Sequence, residues 1–143
     1  MVMLVYRYDD ECYNLGKCIR ARGDPFNTLT DDQKVVELAV RSALPAGVKI
    51  RSESLYTWSS EMLARRLWRL SKKKYLYELE LDERDIRHKG DLNWYSAAVD
   101  AIKAGKSPHD AVKKYCNGEE SGPPYTEPRI ELLVSQARMI RKL

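Results

Sequence analysis

At 143 residues, with 43% hydrophobic and 32% charged positions, the chain is the length of one domain and too apolar for intrinsic disorder. Its net charge is +4; its three cysteines (Cys12, Cys18, Cys116) are odd in number and lack CxxC spacing, which argues against a disulfide framework and a zinc cluster, and its two histidines (His88, His109) have no HExxH, HxH or serine elbow nearby, which argues against zinc-hydrolase and triad chemistry. No apolar run approaches the roughly 20 residues that span a bilayer, and MVMLVYRY lacks the features of a signal peptide, so a soluble protein is expected, cytoplasmic or delivered into a target cell.

VMLVYRY reads as a first strand, DDECYNLGK as a turn, and KCIRAR as a short extended piece before the breaker GDP. Thr30 opens the strongest helix signal. TDDQ is a capping box, Val36, Ala39, Val40 and Ala43 form an apolar stripe, and Pro45 ends it. After the PAGV turn, alternation over SESLYTW predicts a strand near Ser54 to Trp58, with Ser52, Ser54, Tyr56 and Trp58 on one face. A helix follows from about Ser59 to Ser71, burying Leu63, Ala64, Leu67, Trp68 and Leu70.

KYLYELELD is the clearest strand, with Tyr75, Tyr77, Leu79 and Leu81 on one face and Leu76 with solvated Glu78 and Glu80 on the other. Asn93 opens a helix carrying Tyr95, Ala98, Val99 and Ile102 that Gly105 ends, and Ser107-Pro108 opens another that Asn117-Gly118 closes. SGPPYTEP is a loop. IELLV and ARMIRKL read as closing strands, with Glu131 opposite Ile130, Leu132 and Val134. The pattern is that of a single α+β domain spanning residues 1–143.

No GxGxxG or GxxxxGKS is present, which argues against a Rossmann site or a P-loop. Chemistry then falls to polar residues on strands: Arg7 between Tyr6 and Tyr8, Ser52 and Ser54 ahead of a central strand, and Glu131 inside IELLV. Arg65, Arg66, Arg69, Lys72, Lys73 and Lys74 form a cationic run without an acid, which suits a polyanion.

An arginine on the first strand, an S-x-S step before a strand that feeds a helix, and a glutamate on a late strand resemble the mono-ADP-ribosyltransferase superfamily. YR at Tyr6-Arg7, SESLYTW from Ser52 to Trp58 and EPRIELLV from Glu127 to Val134 carry the resemblance, which is nearest to small bacterial members. It implies split β-sheets around an NAD cleft with flanking helices, NAD as co-substrate and no metal.

In that frame Glu131 and Arg7 are the catalytic candidates, and Arg7, Tyr6, Ser52, Ser54 and Tyr56 are the NAD-binding ones. Glu131 would stabilise an oxocarbenium-like ribose, the arginine would hold phosphate or ribose oxygens, and a serine would orient them. Arg65, Arg66, Arg69 and Lys73 would receive an acceptor, with nucleic acid favoured over a protein or a small molecule. Arg129 stands where arginine-modifying members carry a second glutamate, which speaks against arginine as the target. Two other functions suit the residues: a non-catalytic nucleic-acid-binding domain stacking bases on Trp58, Trp68 or Trp94, and a metal-independent ribonuclease using Glu131, Arg7 and His109.

Overall fold

Alternating strand patterns at the start, middle and end of the chain meet in one sheet in the computed structural model, which describes residues 1–143. Seven strands and five α-helices make it an α+β protein. The strands are β1 (Val2–Asp9), β2 (Cys18–Ile19), β3 (Leu55–Trp58), β4 (Tyr75–Asp82), β5 (Ile86–Asp91), β6 (Ile130–Val134) and β7 (Ala137–Lys142), in the order β2-β7-β4-β1-β3-β6-β5. The resemblance implies split sheets; here the strands follow one order, with β4 and β1 paired along their length and β1 joined to β3 through the single pair Tyr6–Trp58.

Contacts divide the chain into a sheet unit (Met1–Ala21, Ser54–His88 and Glu131–Leu143) and a helical unit (Arg22–Glu53 and Lys89–Ile130). In the sheet unit β1 and β4 pair antiparallel over their whole length, from Val2 opposite Asp82 to Asp9 opposite Tyr75. One face packs Val5, Leu55, Tyr77, Leu79, Leu132, Val134 and Met139; the other packs Tyr6 and Leu76 against Ala64 of α3 (Glu61–Ser71). Because both faces are covered, Glu78 is buried rather than solvated, and β7, lying beside β4, sets Arg141 3.2 Å from Glu78 and Arg138 2.5 Å from Glu80.

Ser60 caps α3 by accepting from the Leu63 N–H. Leu63 and Ala64 are buried as expected, but Leu70 is 76% exposed. Ala64 and Trp68 carry the contact with the sheet, and Leu70 lies about 200° of helical rotation beyond Trp68.

The helical unit holds α1 (Asp31–Ala43), α2 (Gly47–Glu53), α4 (Leu92–Lys103) and α5 (His109–Cys116). Both halves of the Thr30–Gln33 capping box form, at 3.3 and 3.0 Å. Val36 and Val40 are buried, whereas Ala43 is exposed and Glu37 is buried in its place. α2 replaces the expected turn and strand entrance. It turns back so tightly on α1 that a Cβ at Gly47 would lie 2.3 Å from the Arg41 carbonyl oxygen, which only glycine permits.

Asp91, not Asn93, caps α4, and Ser107 accepts from the His109 N–H ahead of α5. No helix is long and apolar enough to cross a membrane.

Candidate active site

Glu131 sits on β6, where pairing with β3 places it directly opposite Trp58; Trp58 in turn lies opposite Tyr6 of β1. Strand alternation puts Leu132 and Val134 on the other face, within the core, so Tyr6, Trp58 and Glu131 form a row across three adjacent strands on the face that α3 partly covers. Glu131 is buried, and so is Tyr6. Burial, with the negative charges of Glu78 and Glu61, pushes the Tyr6 hydroxyl above its ordinary range. Tyr56 is half-buried and shares this face by alternation.

The two serines separate. Ser52 is on α2, half-buried, its hydroxyl donating to the Val48 carbonyl 2.6 Å away, so it does not share a strand face with Tyr56. Ser54 directly precedes β3 with the parity of Tyr56 and Trp58. It is only 4% exposed, and its hydroxyl has no hydrogen-bond partner. A buried hydroxyl without a partner costs free energy, on the order of 1–3 kcal/mol, unless a ligand supplies the bond. Of the two, Ser54 has the setting of a ligand-binding residue.

Arg7 is on the opposite face of the sheet from Glu131, in register with Tyr77. Its Nε and Nη2 donate to Asp9 Oδ2 at 3.3 and 3.2 Å, and Nη1 donates to the Tyr56 carbonyl at 2.9 Å. Three of the five guanidinium N–H groups are therefore spent inside the protein, and the side chain is 24% exposed. Asp9 also accepts from the Tyr13 hydroxyl at 2.8 Å; burial and this bond raise the Tyr13 hydroxyl to about 12. Arg7 thus ties β1 to β3 at Tyr56, two residues from Trp58. The sequence could not show this, because the parity of Arg7 relative to Glu131 depends on strand register.

Arg129 is likewise consumed. Its Nε donates to Asn93 Oδ1 at 2.7 Å and its Nη2 to Ser96 Oγ at 2.7 Å, while its backbone N–H donates to Asp91. Asp91 also accepts from Asn93 N, Ser121 N and Ser121 Oγ. Burial would raise this carboxyl, but the bonds from Ser121, Asn93 and Arg129 outweigh it and hold it below the usual range. The network was not foreseen; it pins residues 121–129 to the start of α4, just before Glu131 in the chain.

A second network lies among α1, α2, α4 and α5. Glu37 accepts from Arg41, from two nitrogens of Arg51 and from Tyr95, and Arg51 also donates to the Tyr115 hydroxyl at 2.6 Å. Burial opposes the Glu37 charge, yet Arg51 and Arg41 outweigh it and lower the pKa. This is scaffold, with every charge matched.

Trp58 and Trp68 pack against the sheet core and Trp94 against the helical core, each half-buried rather than enclosed. His109 borders a cleft of about 500 Å³ whose other walls include Ser42, Val112, Lys113, Cys116 and Asn117, and neither Arg7 nor Glu131 belongs to it. Burial raises the Cys116 thiol there.

No protein-family model matches the chain, and no curated protein matches it.

Proposed function

We propose that the protein is an NAD-dependent ADP-ribosyltransferase with an ADP-ribosyltransferase-like fold, in which Glu131 is the catalytic carboxylate and Ser54 and Tyr6 help to hold NAD. The observation that carries this reading is the row of Tyr6, Trp58 and Glu131 across β1, β3 and β6, with the unpartnered buried hydroxyl of Ser54 at the head of β3. When nicotinamide leaves ribose with the bonding electron pair, positive charge develops on the sugar. A carboxylate fixed by a strand stabilises that charge without having to reorganise. The Ser54 hydroxyl would bond to a ribose or amide oxygen, and the Tyr6 and Trp58 rings offer flat apolar surface to nicotinamide.

Arg7 takes a different role in this account from the one its sequence position suggested. It is a positioning residue that fixes β1 against the Tyr56 carbonyl and so holds Trp58 in line with Glu131.

The test is incubation with labelled NAD and separate pools of RNA, DNA and protein, following both transfer and nicotinamide release. Glu131→Gln is expected to lower both by about 10²- to 10³-fold while the variant stays folded. Equal rates for wild type and Glu131→Gln would overturn the proposal.

A further inference from the structure

The six cations between Arg65 and Lys74 are sorted by their surroundings. Arg65 is held by Glu61 one turn earlier at 2.9 Å, and Lys73 by Asp10 at 3.4 Å. Arg69, Lys72 and Lys74 are exposed and have no acidic partner, and Arg66 is exposed beside them.

The turn that presents the lysines is ordered. Trp68 Nε1 donates to the Lys73 carbonyl at 2.8 Å, the Lys73 N–H to Ser71 Oγ at 3.1 Å, and the Lys74 N–H to Asp10 Oδ1 at 3.1 Å. Lys72 ends α3 in the left-handed region, with φ 63°, where helices usually place glycine. A lysine at that position is strained where glycine would not be, so its side chain is kept at a conformational cost.

Exposure and charge together define a track. Met62, 83% exposed, Arg66, Arg69 and Leu70 all open to solvent on α3, and Lys72 and Lys74 extend the track past the helix end. Eleven helical residues alone give it a length of about 16 Å. A single phosphate would use a small part of it, whereas successive phosphates of an extended chain would use it all. The main apolar side of α3 is already packed on the sheet, leaving for a lipid surface only two apolar side chains set among cations.

We propose that the outward face of α3 and the Lys72–Lys74 turn bind the phosphate backbone of a single-stranded nucleic acid, with Met62 and Leu70 against its sugars and bases. As the site of an acceptor this rests on the transferase reading; as a binding surface it stands on α3 alone.

The experiment is fluorescence anisotropy of the full chain, without NAD, using labelled oligouridylate and oligothymidylate, with phosphatidylserine vesicles as competitor. Raising salt from about 50 to about 200 mM should weaken oligonucleotide binding roughly 20- to 100-fold, as for release of a few counterions from a single strand. Arg69→Gln/Lys72→Gln/Lys74→Gln should lose at least about 10-fold at the lower salt. Lys72→Gly should bind about 2- to 3-fold more weakly while melting at the same or a higher temperature, because glycine suits the left-handed position.

No oligonucleotide binding, wild-type binding by the triple variant, or displacement of the oligonucleotide by vesicles would each overturn the proposal. So would Lys72→Gly that melts lower and binds as wild type. Loss of turnover differences at Glu131 with oligonucleotide binding intact would overturn the transfer reading and leave this surface standing.

Discussion

In the helical unit, Glu37 and Asp91 are buried carboxylates wrapped by donors: Glu37 by Arg41, Arg51 and Tyr95, Asp91 by two backbone N–H groups at one oxygen and the Ser121 N–H and hydroxyl at the other. In the sheet unit, the buried Ser54 hydroxyl has no partner, and Arg69, Lys72 and Lys74 face solvent with no counter-charge. The helical unit spends its polar groups on its own geometry. The sheet unit holds some of its own in reserve, and groups in reserve are where a ligand gains most by binding.

Activity should show the largest contrast. Glu131→Gln removes a charge near the proposed reacting ribose and should reduce NAD turnover by about 10²- to 10³-fold, whereas Glu37→Gln should reach turnover only through loss of folded protein.

Stability should show the reverse. Arg51→Met leaves Glu37 buried with half its donors and should cost about 3–5 kcal/mol in denaturant unfolding. Asp91→Ala strands the N–H groups of Asn93, Ser121 and Arg129 and should cost about 3 kcal/mol or more. A cost under about 1 kcal/mol for either would erase the distinction between the units.

The same carboxylates set a pH dependence. Their folded pKa values lie below their unfolded ones, so between the two the unfolded chain binds more protons and stability rises with pH. The contribution is complete above the unfolded values of 4.5 and 3.8 and is lost as pH falls through the lower folded values. Melting temperatures taken from neutral pH downward should fall steeply only below about pH 4.5. Arg51→Met and Asp91→Ala should flatten that fall.

The smallest effects make the sharpest comparison. Ser54→Ala deletes an unsatisfied hydroxyl and should leave stability unchanged or raise it by up to about 1 kcal/mol, while lowering NAD affinity by roughly the worth of one hydrogen bond, about 3- to 10-fold. Ser52→Ala deletes an exposed bond back to Val48 and should change stability by less than about 0.5 kcal/mol and leave NAD affinity alone. If the two serines exchanged these outcomes, the site would lie on α2.

What the sequence disclosed was local. The capping box at Thr30 and the alternation of YLYELELD depend on neighbours within a few residues, and both form. α2 was illegible because its cause is distant: Gly47 lies against the Arg41 carbonyl, and Arg51 reaches Glu37, 14 positions earlier. β5 was missed because IRHKGD is a polar strand at the edge of the sheet, without apolar alternation. Ser52 looked strand-like because its parity matched Ser54, although the helix ends between them. Arg7 and Glu131 were both visible as candidates, but register set them on opposite faces and gave the row to Tyr6.

The most direct measurement is a thermal-shift titration with NAD on wild type, Ser54→Ala and Glu131→Gln. A ligand that binds only the folded state at about 100 times its dissociation constant adds about 2.7 kcal/mol, which is several degrees for a chain of this length. The account predicts that rise for wild type and a smaller one for Ser54→Ala at equal NAD. It also predicts a rise for Glu131→Gln with no detectable nicotinamide release. A melting temperature that stays constant for wild type up to millimolar NAD would contradict it.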